Sequence, residues 1–366
     1  MRWPPLVLSL ALLPVTLVSA TAGAPPPERP IGDTKVFAEV ADPPGNPEGI
    51  TVRKGVVFVG THAPVSGDAD EGASKIFRYD LDTGTRAARP IRIKGQNTDE
   101  THGLLWMAWD KAGRLYVLDR NPPRLLRLTK PFARRPVQTT YATFPDLAPC
   151  NSADPPCSRT NSDAAPFPDF LAFDEAGNAY VTDLEQASIF IVPPGGDETK
   201  VWFTDERLDS VFGPNGIALD PTRTNLYFAM TGSVQPTEPS QGIIYRLPLK
   251  EDPAAEDLEE FFVYPEPAAG PDGIAFGQSG KLYVVLAGSN QISILTPDGT
   301  EELRFPSAEE NQEQEVPYDL PASIAFNGDG SLLVTNQSFF ADDPEHMVVF
   351  DVWVDDVALP LVRPRI

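Results

Sequence analysis

Short apolar runs recur along this chain, each bounded by Gly, Pro, Asp or Asn, and they follow one rhythm six times. A loop ends in a polar residue and often Gly. A short apolar strand follows, then usually an Asp/Gly turn, then a second apolar strand rich in Tyr and Val. The copies begin at Pro47-Glu48-Gly49-Ile50, Thr101-His102-Gly103-Leu104, Pro168-Asp169-Phe170-Leu171, Pro214-Asn215-Gly216-Ile217, Pro271-Asp272-Gly273-Ile274 and Pro321-Ala322-Ser323-Ile324. Their third residues lie 46 to 67 positions apart. A period of that size, filled by strands alone, predicts a β-propeller of six blades. The longest interval reads as an insertion over about 146–166.

Each copy supplies four strands, which hairpin turns make antiparallel. In the fifth they fall at 274–276, 281–286, 291–295 and 301–305; in the second at 104–109, 115–118, 124–128 and 137–141. The segment Lys35-Val36-Phe37-Ala38 resembles Lys200-Val201-Trp202-Phe203, which ends a blade. It is therefore expected to supply the outermost strand of the last blade and so close the ring, since joining both ends in one blade removes an open edge. The C-terminal stretch 357–362 competes for that role.

Composition narrows the setting. The 366 residues include 40 Pro and 27 Gly, which favours turns over long helices. A net charge of -23 repels phosphate backbones, so no nucleic-acid partner is expected. Residues 1–24 read as a signal peptide, with Arg2, an apolar run over 6–18 and small residues around Ala22 and Ala24. The run is too short and Pro-interrupted for stable membrane insertion. The expected protein is thus a single propeller over 25–366, secreted or periplasmic, with a monomer favoured. Cys150 and Cys157, the only cysteines, agree with export and read as a disulfide pinning a loop of the insertion.

In a propeller the first strand of every blade lines the central channel, so equivalent positions form a ring. The residue before the Gly, or its replacement, is Glu48, His102, Asp169, Asn215, Asp272 and Ala322. Three carboxylates converging in a partly desolvated channel repel one another, and a bound cation resolves the conflict. Oxygen ligands from Glu48, Asp169, Asn215 and Asp272 suit one divalent cation, Ca²⁺ first, with Mg²⁺, Mn²⁺ or Zn²⁺ behind it. Asp or Asn before Gly is also ordinary turn chemistry. The ring reading rests on one slot being filled in turn by Glu, Asp, Asn and Asp.

Pro-Glu-Gly at 47–49, Phe-Asp-Glu-Ala-Gly-Asn at 173–178, Pro-Asn-Gly-Ile at 214–217 and Pro-Asp-Gly-Ile at 271–274 resemble the SMP-30/gluconolactonase/luciferin-regenerating-enzyme-like family. The diisopropyl-fluorophosphatase and paraoxonase propellers are more distantly similar. The resemblance implies a six-bladed propeller holding catalytic Ca²⁺ on Glu48, Asp169, Asn215 and Asp272. It also implies metal-assisted hydrolysis of an ester, foremost a lactone, with the ion polarising the carbonyl. Asp272 would act as general base or nucleophile, and His102 would contact the substrate or support the ligands. The chain departs from the family in carrying Asp169 where Asn is frequent and Asp169-Phe170 in place of Asn-Asp. Two other functions stay open: a non-enzymatic secreted propeller binding a small molecule or protein partner, and a phosphotriester hydrolase at the same site.

Asp119, Asp183 and Asn336 end second strands and either face the channel mouth or cap turns. His62 and His346 have no evident partner. Residues 68–71 read as an acidic hairpin tip, and Asn336-Gln337-Ser338 is a glycosylation sequon. No nucleophile elbow, zinc-protease helix motif or phosphate-binding Gly loop is present.

Overall fold

The computed structural model describes residue 1 and residues 29–63, 72–160, 163–196, 198–235 and 237–366. The signal-peptide segment and the hairpin tip at 68–71 lie outside the described residues. What is described is a six-bladed propeller of four-stranded antiparallel sheets. Strand β1 (Thr34–Glu39) comes before the first blade, which is β2 (Pro47–Arg53), β3 (Val56–Thr61), β4 (Lys75–Asp80) and β5 (Ile91–Arg92). The second blade is β6 (Leu104–Trp109), β7 (Leu115–Asp119), β8 (Arg124–Thr129) and β9 (Val137–Thr143). The third is β10 (Pro168–Phe173), β11 (Ala179–Asp183), β12 (Ser188–Val192) and β13 (Lys200–Thr204). The fourth is β14 (Pro214–Leu219), β15 (Asn225–Met230), β16 (Gln241–Pro248) and β17 (Glu259–Pro267). The fifth is β18 (Pro271–Phe276), β19 (Leu282–Leu286), β20 (Gln291–Leu295) and β21 (Glu301–Phe305). The sixth is β22 (Pro321–Phe326), β23 (Ser331–Asn336) and β24 (Val348–Trp353), completed by β1 pairing antiparallel with β24. The ring closes through the N-terminal strand, as the sequence predicts.

The Tyr-rich second strands have a packing reason. Tyr116, Tyr227 and Tyr283 each stand opposite an Ala of their own first strand. The small Ala leaves room for each ring to meet, edge to face, the Phe that ends the next blade's first strand. Tyr116 meets Phe173 at 5.1 Å, Tyr227 meets Phe276 at 5.1 Å and Tyr283 meets Phe326 at 5.4 Å. Phe58 and Trp109 form the equivalent contact between blades one and two. Such pairs add roughly 0.5–1.5 kcal/mol each beyond area burial. They peg neighbouring blades together and hold the first strands around one axis.

The C-terminal residues do not add a strand. After Trp353 the chain bonds Val357 O to Gln278 N and Leu359 N to Phe276 O on blade five. It then reaches blade two, where Lys111 N donates to Pro364 O, and packs Val362 and Ile366 into the core shared by blades two and three. Blades five and two stand opposite each other, so this tail crosses the lower mouth of the channel along a diameter.

Candidate functional site

The ring positions are set by one backbone device repeated six times. Every first strand loses register with its second strand between two residues: Pro47 and Ile50, Leu104 and Met107, Pro168 and Leu171, Pro214 and Ile217, Pro271 and Ile274, Pro321 and Ile324. A bulge unpairs the residues inside it and re-aims their side chains. The first residue inside each bulge is the ring residue. These residues lie within strands, so turn chemistry does not explain Glu48, Asp169, Asn215 and Asp272.

The Gly that follows has a packing cause. A Cβ on Gly49 would stand 2.3 Å from Leu105 O of blade two, and one on Gly216 would stand 2.2 Å from Asp272 O of blade five. First strands of adjacent blades approach backbone to backbone there, which only Gly permits. Blades two and three instead carry Trp106 and Phe170 at this position, and their rings pack together at 4.5 Å.

Register corrects the sequence reading in blade two. Leu104 pairs with Asp119 as Pro47 pairs with Thr61, so the ring residue of this blade is Leu105, not His102. His102 lies three residues earlier, its Nδ1 3.0 Å from Glu100 O and its Nε2 3.2 Å from Gly72 O. It does not line the upper cavity, whereas Leu105 does. Blade two lacks Pro-x-Gly, and Thr101-His102-Gly103 imitates it one bulge too early. The ring is therefore Glu48, Leu105, Asp169, Asn215, Asp272 and Ala322.

Glu48, Asp169 and Asn215 are buried, Asp272 is partly exposed, and all four line a cavity of about 310 Å³. Burial raises the Asp169 carboxyl to about 8, opposed by the Arg120 charge and assisted by Asp183. Burial, then Asp272 and Asp169, holds the Glu48 carboxyl well above its ordinary range. Burial and Asp169 do the same to Asp272. Hydroxyls of second strands fix the ring from behind: Thr335 donates to Glu48 O at 2.8 Å and Thr231 to Pro271 O at 2.8 Å. Asn215 Nδ2 donates to Thr231 Oγ1 at 2.9 Å, which turns its carbonyl oxygen away from that partner. Gln337 Nε2 donates to Glu48 Oε2.

Two buried oxygens, Asn215 Oδ1 and Asp272 Oδ1, have no hydrogen-bond partner. An unsatisfied buried acceptor is costly, and oxygens of this kind beside carboxylates are the donor type that a hard cation takes. The residues present thus fit such an ion. Among the described residues no group of three or more His, Cys, Asp or Glu side chains stands close enough together to hold a metal ion without rearrangement.

The cavity has a wall that the repeat does not reveal. Arg120, directly after β7, lies flat on Phe167 with its guanidinium carbon 3.7 Å from the ring centroid. Its Nη1 donates to His62 Nε2 at 3.0 Å, and its Nη2 is 3.8 Å from Glu185. His62 packs on Phe339 at 5.0 Å, and its Nδ1 lies 2.5 Å from Ala63 O. Burial first and the Arg120 charge second keep the His62 imidazole well below its ordinary pKa. A neutral His62 with Nδ1 protonated and Nε2 accepting accounts for both bonds.

Other candidates are structural. Asp119 binds Arg124 and Gln96. Asp183 accepts the backbone N–H groups of Phe167, Glu185 and Gln186. Asn336 is fully buried, accepting from Asp319 N and donating to Pro317 O and His346 O, which leaves its sequon no access to a glycan. His346 faces Asp319 at 2.9 Å. Cys150 and Cys157 are joined in a disulfide. No described residue between 146 and 166 lines the cavity, which Phe167 just beyond does.

Comparison with known proteins agrees with this architecture. No curated protein matches the chain by sequence. Among solved structures, a calcium-binding protein, regucalcin, from Agrobacterium tumefaciens aligns with TM-score 0.64 and 18% identity over 92% of this chain and 98% of that one. A gluconolactonase from Xanthomonas campestris aligns with TM-score 0.55 and 13% identity over 88% of this chain and 89% of that one. The PQQ-bound aldose sugar dehydrogenase of Streptomyces coelicolor aligns as well, with TM-score 0.59 and 13% identity over 90% and 99%. At these identities the likeness is one of fold, and one fold hosts several chemistries. The sequence itself is more specific: residues 204–338, which include Asn215 and Asp272, match the family described as the SMP-30/Gluconolactonase/LRE-like region.

Proposed function

We propose that this chain is an exported hydrolase of ester bonds, with a lactone as substrate, that depends on a divalent cation in the upper half of its channel. One observation carries the reading: identical bulges aim three carboxylates and an amide carbonyl at one axis, and Asn215 Oδ1 and Asp272 Oδ1 are left without partners. Glu48, Asp169, Asn215 and Asp272 would hold the ion, Ca²⁺ before Mg²⁺, Mn²⁺ or Zn²⁺. When bound, such a cation supplies Lewis-acid polarisation of the substrate carbonyl. Gln337 orients Glu48, and Thr231 orients Asn215. Asp272 would also act on the attacking water as proton acceptor, or attack the carbonyl as nucleophile. Leu105 and Phe167 supply apolar surface that excludes bulk water beside it. The match over 204–338 supports lactone chemistry. Export is supported by the expected signal peptide and by the disulfide.

The test is metal analysis of the purified protein together with a panel of lactones and aryl esters, on wild type and Asp272→Asn. The expected result is a stoichiometric divalent cation and turnover that chelation and the substitution both abolish. A wild type without bound cation or cation-stimulated turnover overturns the catalytic reading and leaves a propeller that only binds.

A further inference from the structure

Among the described residues, Arg120 is the one cation lining the upper cavity. Its backbone N–H donates to Gly103 O at 3.0 Å, so the base of the side chain is fixed. Phe167 supports one face of the guanidinium and His62 accepts a single N–H. That acceptor is a neutral imidazole, so it orients the fork without cancelling its charge. Glu185 stands at 3.8 Å, beyond hydrogen-bond reach. The side chain retains 20% of its exposure although Phe167 covers one face of the guanidinium. A guanidinium carries five donors; among the described residues only His62 accepts a hydrogen bond from this one.

The charge balance of the ring gives this a purpose. Glu48, Asp169 and Asp272 with one divalent cation leave a single negative charge, which would repel an anionic ligand. Arg120 cancels it, and it interacts electrostatically with Asp169. Phe167, Phe212, Phe339 and Phe340 line the same cavity, offering flat apolar surface beside the fork.

We propose that Arg120 is a substrate-positioning residue that pairs with a carboxylate on the substrate while the phenylalanines receive a planar apolar group, so that the substrate class is aromatic esters or lactones bearing an acid. The reaction rests on the function proposed above; the recognition does not, because it is measurable without turnover. The pairing is bidentate, with the two parallel N–H donors of the fork meeting the two carboxylate oxygens.

The test is calorimetric titration of the full chain with benzoate and with its neutral isostere benzamide, in calcium and in EDTA. Wild type is expected to bind benzoate at least tenfold more tightly than benzamide in both buffers. Arg120→Gln should lose at least tenfold for benzoate and stay within twofold for benzamide, and Arg120→Lys should fall between. Glu185→Gln keeps the fork and removes its nearest anion, so it should tighten benzoate binding severalfold; this variant decides the matter even if Arg120→Gln does not fold. Equal affinity for the two probes in wild type, or benzoate binding that is unchanged in Arg120→Gln, overturns the proposal. So does benzoate binding that is lost in EDTA, which would place the anion on the cation. A protein that hydrolyses no lactone can still pass, so failure of the recognition and failure of the reaction are separately visible.

Discussion

The upper and lower halves of the channel are built by the same six strands and have opposite chemistry. At the start of each first strand the bulge presents Glu48, Leu105, Asp169, Asn215, Asp272 and Ala322. Two residues further on, the same strands present Ile50, Met107, Leu171, Ile217, Ile274 and Ile324, all buried and all lining the lower cavity. The upper ring holds repelling charges and unsatisfied oxygens, which are unfavourable for folding. The lower ring holds only side chains that gain from leaving water. One strand thus carries the candidate site at one end and cohesion at the other, two residues apart.

The largest effect that separates the halves is catalytic. Asp272→Asn is expected to lower kcat/KM by about 10³-fold or more, while the melting temperature in EDTA holds or rises, because a repelling carboxylate is removed. A fall in melting temperature would show that the ring is cohesive after all. Ile324→Ala should do the reverse. It lies on the blade whose ring residue is Ala322, which supplies none of the four oxygen ligands, and its truncation should cost about 2–5 kcal/mol in denaturant titration with kcat/KM within twofold.

A subtler difference is pH dependence without metal. The Asp169 carboxyl is raised from 3.8 to about 8. Between those values the folded chain keeps a proton that the unfolded chain has lost, so stability falls as pH rises through that window. Melts in EDTA should show this decline, calcium should offset it most at the alkaline end, and Asp169→Asn should flatten it. A profile unchanged by Asp169→Asn would place the strain elsewhere. The smallest effect is expected at the exposed Arg223–Glu175 pair near the lower mouth, where Arg223→Ala should change stability by less than about 1 kcal/mol.

Much of this was legible in the sequence. The strands of the fifth blade fall where the pattern put them, and ring closure followed from the likeness of 35–38 to 200–203. Glu48, Asn215 and Asp272 were visible because Pro-x-Gly marks both the bulge and the close backbone approach, and Asp169 because Pro168 still opens its copy although Phe170 replaces the Gly. Blade two was misread because Trp106 fills the Gly position and removes the marker, so only strand register reveals Leu105. His62 and Arg120 were hidden for another reason. They are 58 residues apart, on different blades, and meet only when the ring is closed.

The tail that crosses the lower mouth, lying under the collar of Ile, Leu and Met side chains, gives the channel a single working entrance. On the proposed lactone chemistry, a hydroxy acid formed at the ring would have to depart by the route its lactone used, past Arg120. Release and entry become mutually exclusive events, so the spent acid should act as a competitive inhibitor and turnover should slow as it accumulates.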